Sequence, residues 1–216
     1  MANKSESTLV HDAIMLFVIT LIAGVLLGAV YTITKKPIEA ADEKTTNEAY
    51  EAVYAGATFA SDDALTKSLE AFQKDVAAGK VDDDTYSYSD VELMEARTAT
   101  VDGALAGYVV KVSGKGYGGA VTVALGITSE GEVLGIQILD ASDETPGLGQ
   151  NSTKEDWNGQ YIGATGDSTL SVVKDGSGST DSGTINAISG ATITSNAVTR
   201  AVNVALKFVV NETATD

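Results

Sequence analysis

The 216-residue sequence contains no cysteine. Without thiols there is no disulfide, no thiolate-bound metal or iron–sulfur cluster and no cysteine nucleophile. Histidine occurs once, as His11, just before an apolar run. A single imidazole builds neither a His-based catalytic triad nor a multi-His metal site. Tryptophan is also single, at Trp157, and the two prolines stand at 37 and 146. Positive charge is thin: 14 Lys and Arg against 30 Asp and Glu leave a formal charge of −16. Phosphate backbones and anionic headgroups would repel such a chain, so nucleic acid is not an expected partner.

What is present is apolar residue, 44% of the chain, enough for a folded core. Its most conspicuous concentration is "AIMLFVITLIAGVLLGAVYTIT", Ala13 to Thr34, 22 residues without a charge. As a helix this run spans roughly 33 Å, against about 30 Å for a bilayer's hydrocarbon core. A cleaved signal peptide would start basic and have a shorter apolar stretch, whereas "MANKSESTLVHD" is nearly neutral. An uncleaved transmembrane helix is therefore expected over 13–34, after a tail at 1–12, with Lys35, Lys36 and Pro37 ending it. The two lysines pull their side toward the cytoplasm, and Lys4 with the amino terminus pulls the other way. Charge alone leaves the topology open.

Residues 38–58 and "DDALTKSLEAFQKDVAAG" read as helices, the second capped by Asp62 or Asp63 and ended at Gly79. Together they make 35–80 a helical linker region. The period then changes. "DVELMEARTATV", "GALAGYVVKVSG", "GAVTVALGIT" and "EVLGIQILDA" alternate as short strands separated by glycine turns. A Gly/Pro loop, a short helix near "STKEDWNGQYIG", a weaker strand at "STLSVVKD" and a flexible surface loop at "DGSGSTDSGT" follow. The chain closes with an amphipathic helix that buries Val198, Ala201, Val202, Ala205, Leu206 and Val209. The expected fold class is α+β: one N-terminal transmembrane helix, then an antiparallel β-meander domain over 81–216 flanked by helices.

Three glycine-containing motifs stand out. "GKGYGG", Gly114 to Gly119, satisfies G-x-G-x-x-G, but strands lie on both sides, so it reads as a hairpin turn and not a dinucleotide loop. "DETPGLGQ", Asp143 to Gln150, reads by itself as an ordinary strand-to-helix loop, or else as a tight turn whose Gly147 and Gly149 let the backbone approach something flat or bulky. Taken alone, the ordinary loop is the plainer reading. "SGAT", Ser189 to Thr192, opens the last helix. Thr192, Thr194 or Ser195 can cap that helix, but capping does not require Gly190 and Ala191, which clear space beside Thr192. A helix N-terminus favours phosphate, and an exposed threonine hydroxyl there can carry a phosphodiester. No His or Cys is near to activate Thr192, and Arg200 stays protonated, so covalent attachment would need another enzyme.

The anchor, the glycine-rich meander, "ETPGLG" and "SGATITSNAV" together resemble the FMN-binding G subunit of Rnf-type electron transport complexes. The C subunit of sodium-translocating NADH:quinone reductase is a related family. The resemblance implies FMN joined through its phosphate to Thr192, beside Ser189, Gly190 and Ala191, by a flavin transferase that draws on FAD. It implies that Glu144, Thr145, Pro146, Gly147, Leu148 and Gly149 lie against the flavin ring. Where many members have a His two residues before that Glu, this chain has Ser142. The family's flavin domain lies outside the cytoplasm, and its complex couples ferredoxin and NAD to sodium or proton translocation. The implied role is a single-pass membrane electron relay among other Rnf subunits, with no catalytic residue or metal of its own.

Trp157 and Tyr117 are candidates to line a flavin, and Lys154, Lys115 or Arg200 to pair with its phosphate; core packing and surface solvation are the plainer roles. Beyond the quinone reductase subunit, the alternatives are an anchored scaffold without flavin and a free-standing enzyme. Thr192 and an intact "ETPGLG" disfavour the scaffold. The missing nucleophiles, bases and metal ligands disfavour the enzyme.

Overall fold

A computed structural model describes residues 3–214. The chain divides into two compact units, one up to Thr45 and one from Thr46. The first is the larger part of helix α1 (Asn3–Val53), whose segment from Leu9 is long and apolar enough to cross a membrane. Helix α1 does not stop at Lys35-Lys36-Pro37: it runs through Pro37 without a break. Proline removes one backbone hydrogen bond, but Ala, Glu and Lys beyond it are good helix formers. Lys35 also reaches Glu39 across one turn at 3.7 Å.

The helix read over 38–58 is shorter than expected, ending at Val53. Gly56 then takes a left-handed conformation (φ +79°), and Thr58–Ala60 forms strand β1 instead. Helix α2 (Asp63–Ala77) begins at its expected cap: Asp62 accepts from the Ala64 N–H at 2.9 Å. Strands β2 (Val91–Val101), β3 (Ala104–Lys115), β4 (Ala120–Thr128) and β5 (Val133–Asp140) follow. With β1 they form one antiparallel sheet in sequential order, the expected meander. Helix α3 (Glu155–Asn158) is a single turn. Strands β6 (Ser171–Val173) and β7 (Thr184–Asn186) make a small parallel pair outside the sheet, and β7 is too short to stand out in the sequence pattern. The 174–183 loop between them is tied back by Gly178 N–H to Asn186 and Ser179 N–H to the Thr184 hydroxyl, at 2.8 and 3.0 Å. Helix α4 (Thr192–Thr213) completes the fold.

Both faces of the sheet are covered. Helix α4 lies on one, and all six residues of its expected apolar stripe are buried. A Cβ at Gly114 would lie under 3.0 Å from the Ala197 carbonyl, so only glycine lets β3 come this close to α4. Helix α2 joins this core through Leu65, Leu69 and Val76. The end of α1, with Ala49, Tyr50, Val53 and Tyr54, packs on Ala99, Val109 and Ala124 of the other face. Within 46–80, the end of α1 and helix α2 thus pack on the sheet, and β1 is its edge strand. Each large apolar side chain buried this way contributes about 1.5–3 kcal/mol.

The segment before β2 is held by Asp83. Its carboxylate accepts from the Tyr86 N–H (2.9 Å), Tyr88 hydroxyl (2.6 Å), Thr169 hydroxyl (2.9 Å) and Lys207 ammonium (3.1 Å). Burial pushes its pKa up, but the bonds from Tyr88, Tyr86, Thr169 and Lys207 outweigh it and hold the group well below the usual carboxylate range. A depressed folded pKa stabilises the protein above the unfolded value, near ~3.9, and that contribution fades as pH falls through the folded value. Asp83→Asn should lower stability at pH 7 by roughly 1–3 kcal/mol. Urea midpoints should show the gap to the parent narrowing progressively below about pH 4.

Candidate functional site: a cavity at the start of α4

Three stretches of chain meet at the amino end of α4. The first is the β3–β4 turn, closed by Gly116 N–H donating to the Gly119 carbonyl at 2.8 Å. The second is the loop after β5, where the N–H groups of Leu148 and Gln150 both donate to the Thr145 carbonyl, at 3.1 and 3.3 Å. The third is the Ile188–Ala191 turn, closed by Ala191 N–H to the Ile188 carbonyl at 2.9 Å, with Gly190 left-handed at φ +76°.

Glu144 joins them. Its side chain is 2% exposed and accepts the Gly118 N–H at 2.9 Å and the Thr194 hydroxyl at 2.5 Å. The glycines around it are required by space. A Cβ at Gly116 or Gly149 would fall under 3.0 Å from the Glu144 carboxylate, and one at Gly118 would strike the Asp143 carbonyl. The turn "GKGYGG" is the hairpin expected, and its glycines also seat it against Asp143 and Glu144.

Between these stretches opens a cavity of about 550 Å³. Its walls are Tyr117 from the turn; Glu144, Thr145, Leu148 and Gly149 from the loop; and Gly190, Ala191, Thr192, Ile193 and Thr194 from α4 and its approach. Seven of the ten expected site residues therefore line one space. Pro146, Gly147 and Ser189 do not; they shape the turns, Gly147 at φ +75° with its carbonyl accepting from Asn151 at 2.7 Å. Tyr117 takes a place in the wall, as one of the two aromatic candidates. Ile193 and Thr194 add lining that the motifs alone do not indicate.

The capping expectation for α4 is corrected. None of Thr192, Thr194 and Ser195 caps it: Ala191 occupies the cap position without a side-chain bond. Thr194 is committed to Glu144, and Ser195 accepts the Ile188 N–H and donates to the Ala191 carbonyl, at 2.9 and 3.0 Å. Among the described residues, the Thr192 hydroxyl has no hydrogen-bond partner, and the N–H groups of Thr192, Ile193 and Thr194 have no acceptor. A half-buried hydroxyl and three unpaired donors at a helix N-terminus thus face a common cavity.

Trp157 and Arg200 are engaged elsewhere. Trp157 donates its indole N–H to the Asn186 carbonyl at 2.7 Å and packs edge-on against Tyr161, centroids 5.6 Å apart. Arg200 binds both Asp90 oxygens at 2.7 and 2.8 Å and the Lys115 carbonyl at 3.2 Å. Trp157, Arg200, Lys115 and Lys154 are not among the residues lining the cavity.

Residues 116–207 match the family model described as an FMN-binding domain. The chain is 34% identical over 200 residues to the G subunit of the Na(+)-translocating ferredoxin:NAD(+) oxidoreductase complex of Acetobacterium woodii, covering 92% of this chain and 90% of that one. The chain belongs to the family of these G subunits. A second family member, from the proton-translocating ferredoxin:NAD(+) oxidoreductase complex of Clostridium ljungdahlii, is 43% identical over 102 residues, 47% of this chain and 52% of its own. The crystal structure of Shewanella oneidensis NqrC is similar over 56% of this chain and 61% of that one, at 24% identity and a TM-score of 0.49. The matched span of this G-subunit family member contains every cavity-lining residue, from Tyr117 to Thr194.

Removing the Glu144 carboxylate leaves two donors without an acceptor. Glu144→Ala should therefore lower stability by roughly 1–3 kcal/mol in denaturant titrations. Amide exchange at Gly118 should accelerate beyond what a uniform loss of stability produces, because that N–H loses its acceptor.

Proposed function

We propose that this chain is a membrane-anchored FMN carrier of an ion-translocating ferredoxin:NAD oxidoreductase complex, with the flavin joined through its phosphate to Thr192. The observation that carries the reading is the meeting of Thr192 and the 144–149 loop in one cavity. The residues there fit the group. The N–H donors of Thr192, Ile193 and Thr194 suit a phosphate. Leu148, Ile193 and Tyr117 offer apolar surface to a ring system. A volume of about 550 Å³ falls in the ~300–1,000 Å³ range of small-molecule sites. Bound FMN supplies one- and two-electron redox chemistry that no side chain of this cysteine-free sequence provides.

The chain's own part is to hold, orient and shield. Gly190 and Ala191 keep the space beside Thr192 free of large side chains, and Gly149 lets the 144–149 loop close on Glu144 and Thr194 at the cavity wall. The join is a phosphodiester at Thr192 Oγ1, formed with FAD as donor and AMP as leaving group. A separate flavin transferase makes it, because the sequence has no Cys and its one His, His11, lies far from Thr192 along the chain, leaving no such group to activate the Thr192 hydroxyl. Residues 13–34 serve as anchor, and the cofactor site lies within 81–216, placed by family resemblance on the extracytoplasmic side. Neighbouring membrane subunits deliver and remove electrons and move sodium or protons. Near-full-length similarity to a family member from a ferredoxin:NAD(+) oxidoreductase complex favours this reading over a quinone reductase subunit.

The test is the intact mass of the chain purified from its own host's membranes and denatured, beside Thr192→Ala. The parent should carry the mass of FMN less one water and stay yellow, and the variant should lose both. An unmodified parent, or a variant that keeps the increment, contradicts the assignment.

A further inference from the structure

The β3–β4 turn carries one feature that its role as a hairpin does not explain. Of its residues 116–119, three are glycines with no room for a Cβ, each pressed on Asp143, Glu144 or the turn's own backbone. The remaining residue is Tyr117, which is 72% exposed while lining the same cavity as Thr192. Every other tyrosine from Thr46 onward is built into the fold. Tyr50, Tyr88 and Tyr161 are fully buried, Tyr54 and Tyr108 nearly so, and the Tyr86 hydroxyl bonds Asn196 at 2.9 Å. The Tyr117 hydroxyl has no partner among the described residues.

The backbone that carries this ring is nevertheless pinned. The Gly116–Gly119 bond of 2.8 Å closes the turn beneath it. The next residue, Gly118, gives its N–H to the buried Glu144 carboxylate, which also holds Thr194 on the first turn of α4. One carboxylate therefore sets the spacing between Tyr117 and the helix end bearing Thr192. An exposed aromatic ring on a turn pinned so closely is a surface prepared for something planar, since aromatic faces favour offset or edge contact with other π systems.

We propose that Tyr117 is the aromatic wall of the flavin site, packing on the ring system of the FMN held at Thr192, and that Glu144 is the positioning residue that keeps it there. The proposal rests on the flavin reading above. It adds a contact from a turn that precedes the "ETPGLG" loop in sequence and that neither attachment nor electron relay demands. The hydroxyl is not needed for this contact; the ring is.

The experiment uses the full chain from host membranes, with the visible circular dichroism and fluorescence of its flavin recorded before and after denaturation, and intact mass taken to confirm loading. Tyr117→Ala should keep the flavin mass, lose induced dichroism in the flavin bands and show native fluorescence moving toward the denatured level. Tyr117→Phe should keep the dichroism. A loaded Tyr117→Ala with spectra unchanged from the parent overturns the proposal and leaves the attachment at Thr192 standing. If Tyr117→Ala arrives unloaded, rescue of loading by Phe supports an aromatic wall, and failure of Phe to rescue overturns it. An unmodified parent chain instead brings down the flavin reading, and this proposal with it.

Discussion

The site depends on one buried carboxylate. Glu144 is almost without solvent, and its two oxygens receive an N–H from the β3–β4 turn and a hydroxyl from the first turn of α4. A buried anion is costly unless its bonds are made, and here they are made by two segments far apart in sequence. Turn, loop and helix end can therefore share a cavity only in the arrangement that satisfies it. The same demand explains the glycines at 116, 118 and 149, where any side chain would enter the space of Asp143 or Glu144.

The sheet supplies the frame in which that joint can form. Helix α4 is fixed along β3 by the close approach at Gly114 and by an apolar face buried from Ala197 to Val209. With its axis set by packing, its first turn projects next to the end of β3 and the loop after β5. The Ile188–Ala191 turn then enters the helix with no capping side chain, leaving donors and a hydroxyl directed at the cavity. Elsewhere in the chain a helix end is closed in the ordinary way, as Asp62 closes α2. The difference is one of use: α2 packs, and α4 both packs and presents Thr192.

Much of this is readable from residues alone, for physical reasons that also explain the failures. Strands β2 to β5 are visible because runs rich in Val, Ile and Leu are bounded by glycine turns, even where β3 and β4 are buried on both faces. The place of Gly190, Ala191 and Thr192 at the cavity is visible because capping alone does not call for Gly190 and Ala191 together before a long helix. The continuation of α1 through Pro37 is not, since strong helix formers beyond a proline can outweigh its local cost. Nor are the true partners of Thr194 and Ser195, because capping is a local expectation and Glu144, 50 residues away from Thr194, overrides it. Trp157 looks available to a ligand in sequence, and its bond to the Asn186 carbonyl cannot be read without knowing β7. The glycines of "GKGYGG" fit a hairpin so well that their contact with Asp143 and Glu144 leaves no separate signal.

The central claim is that the cofactor sits on Thr192 and on no neighbouring hydroxyl. Trypsin should release residues 175–200 as one peptide, since no Lys or Arg lies between Lys174 and Arg200. That peptide contains Thr192 together with Thr194, Ser195 and Thr199, so its fragment ions locate the modification residue by residue. The flavin phosphate should first appear in the fragment series at Thr192. Its appearance at Thr194, whose hydroxyl should be held by Glu144, or on a peptide outside this segment, would contradict the claim.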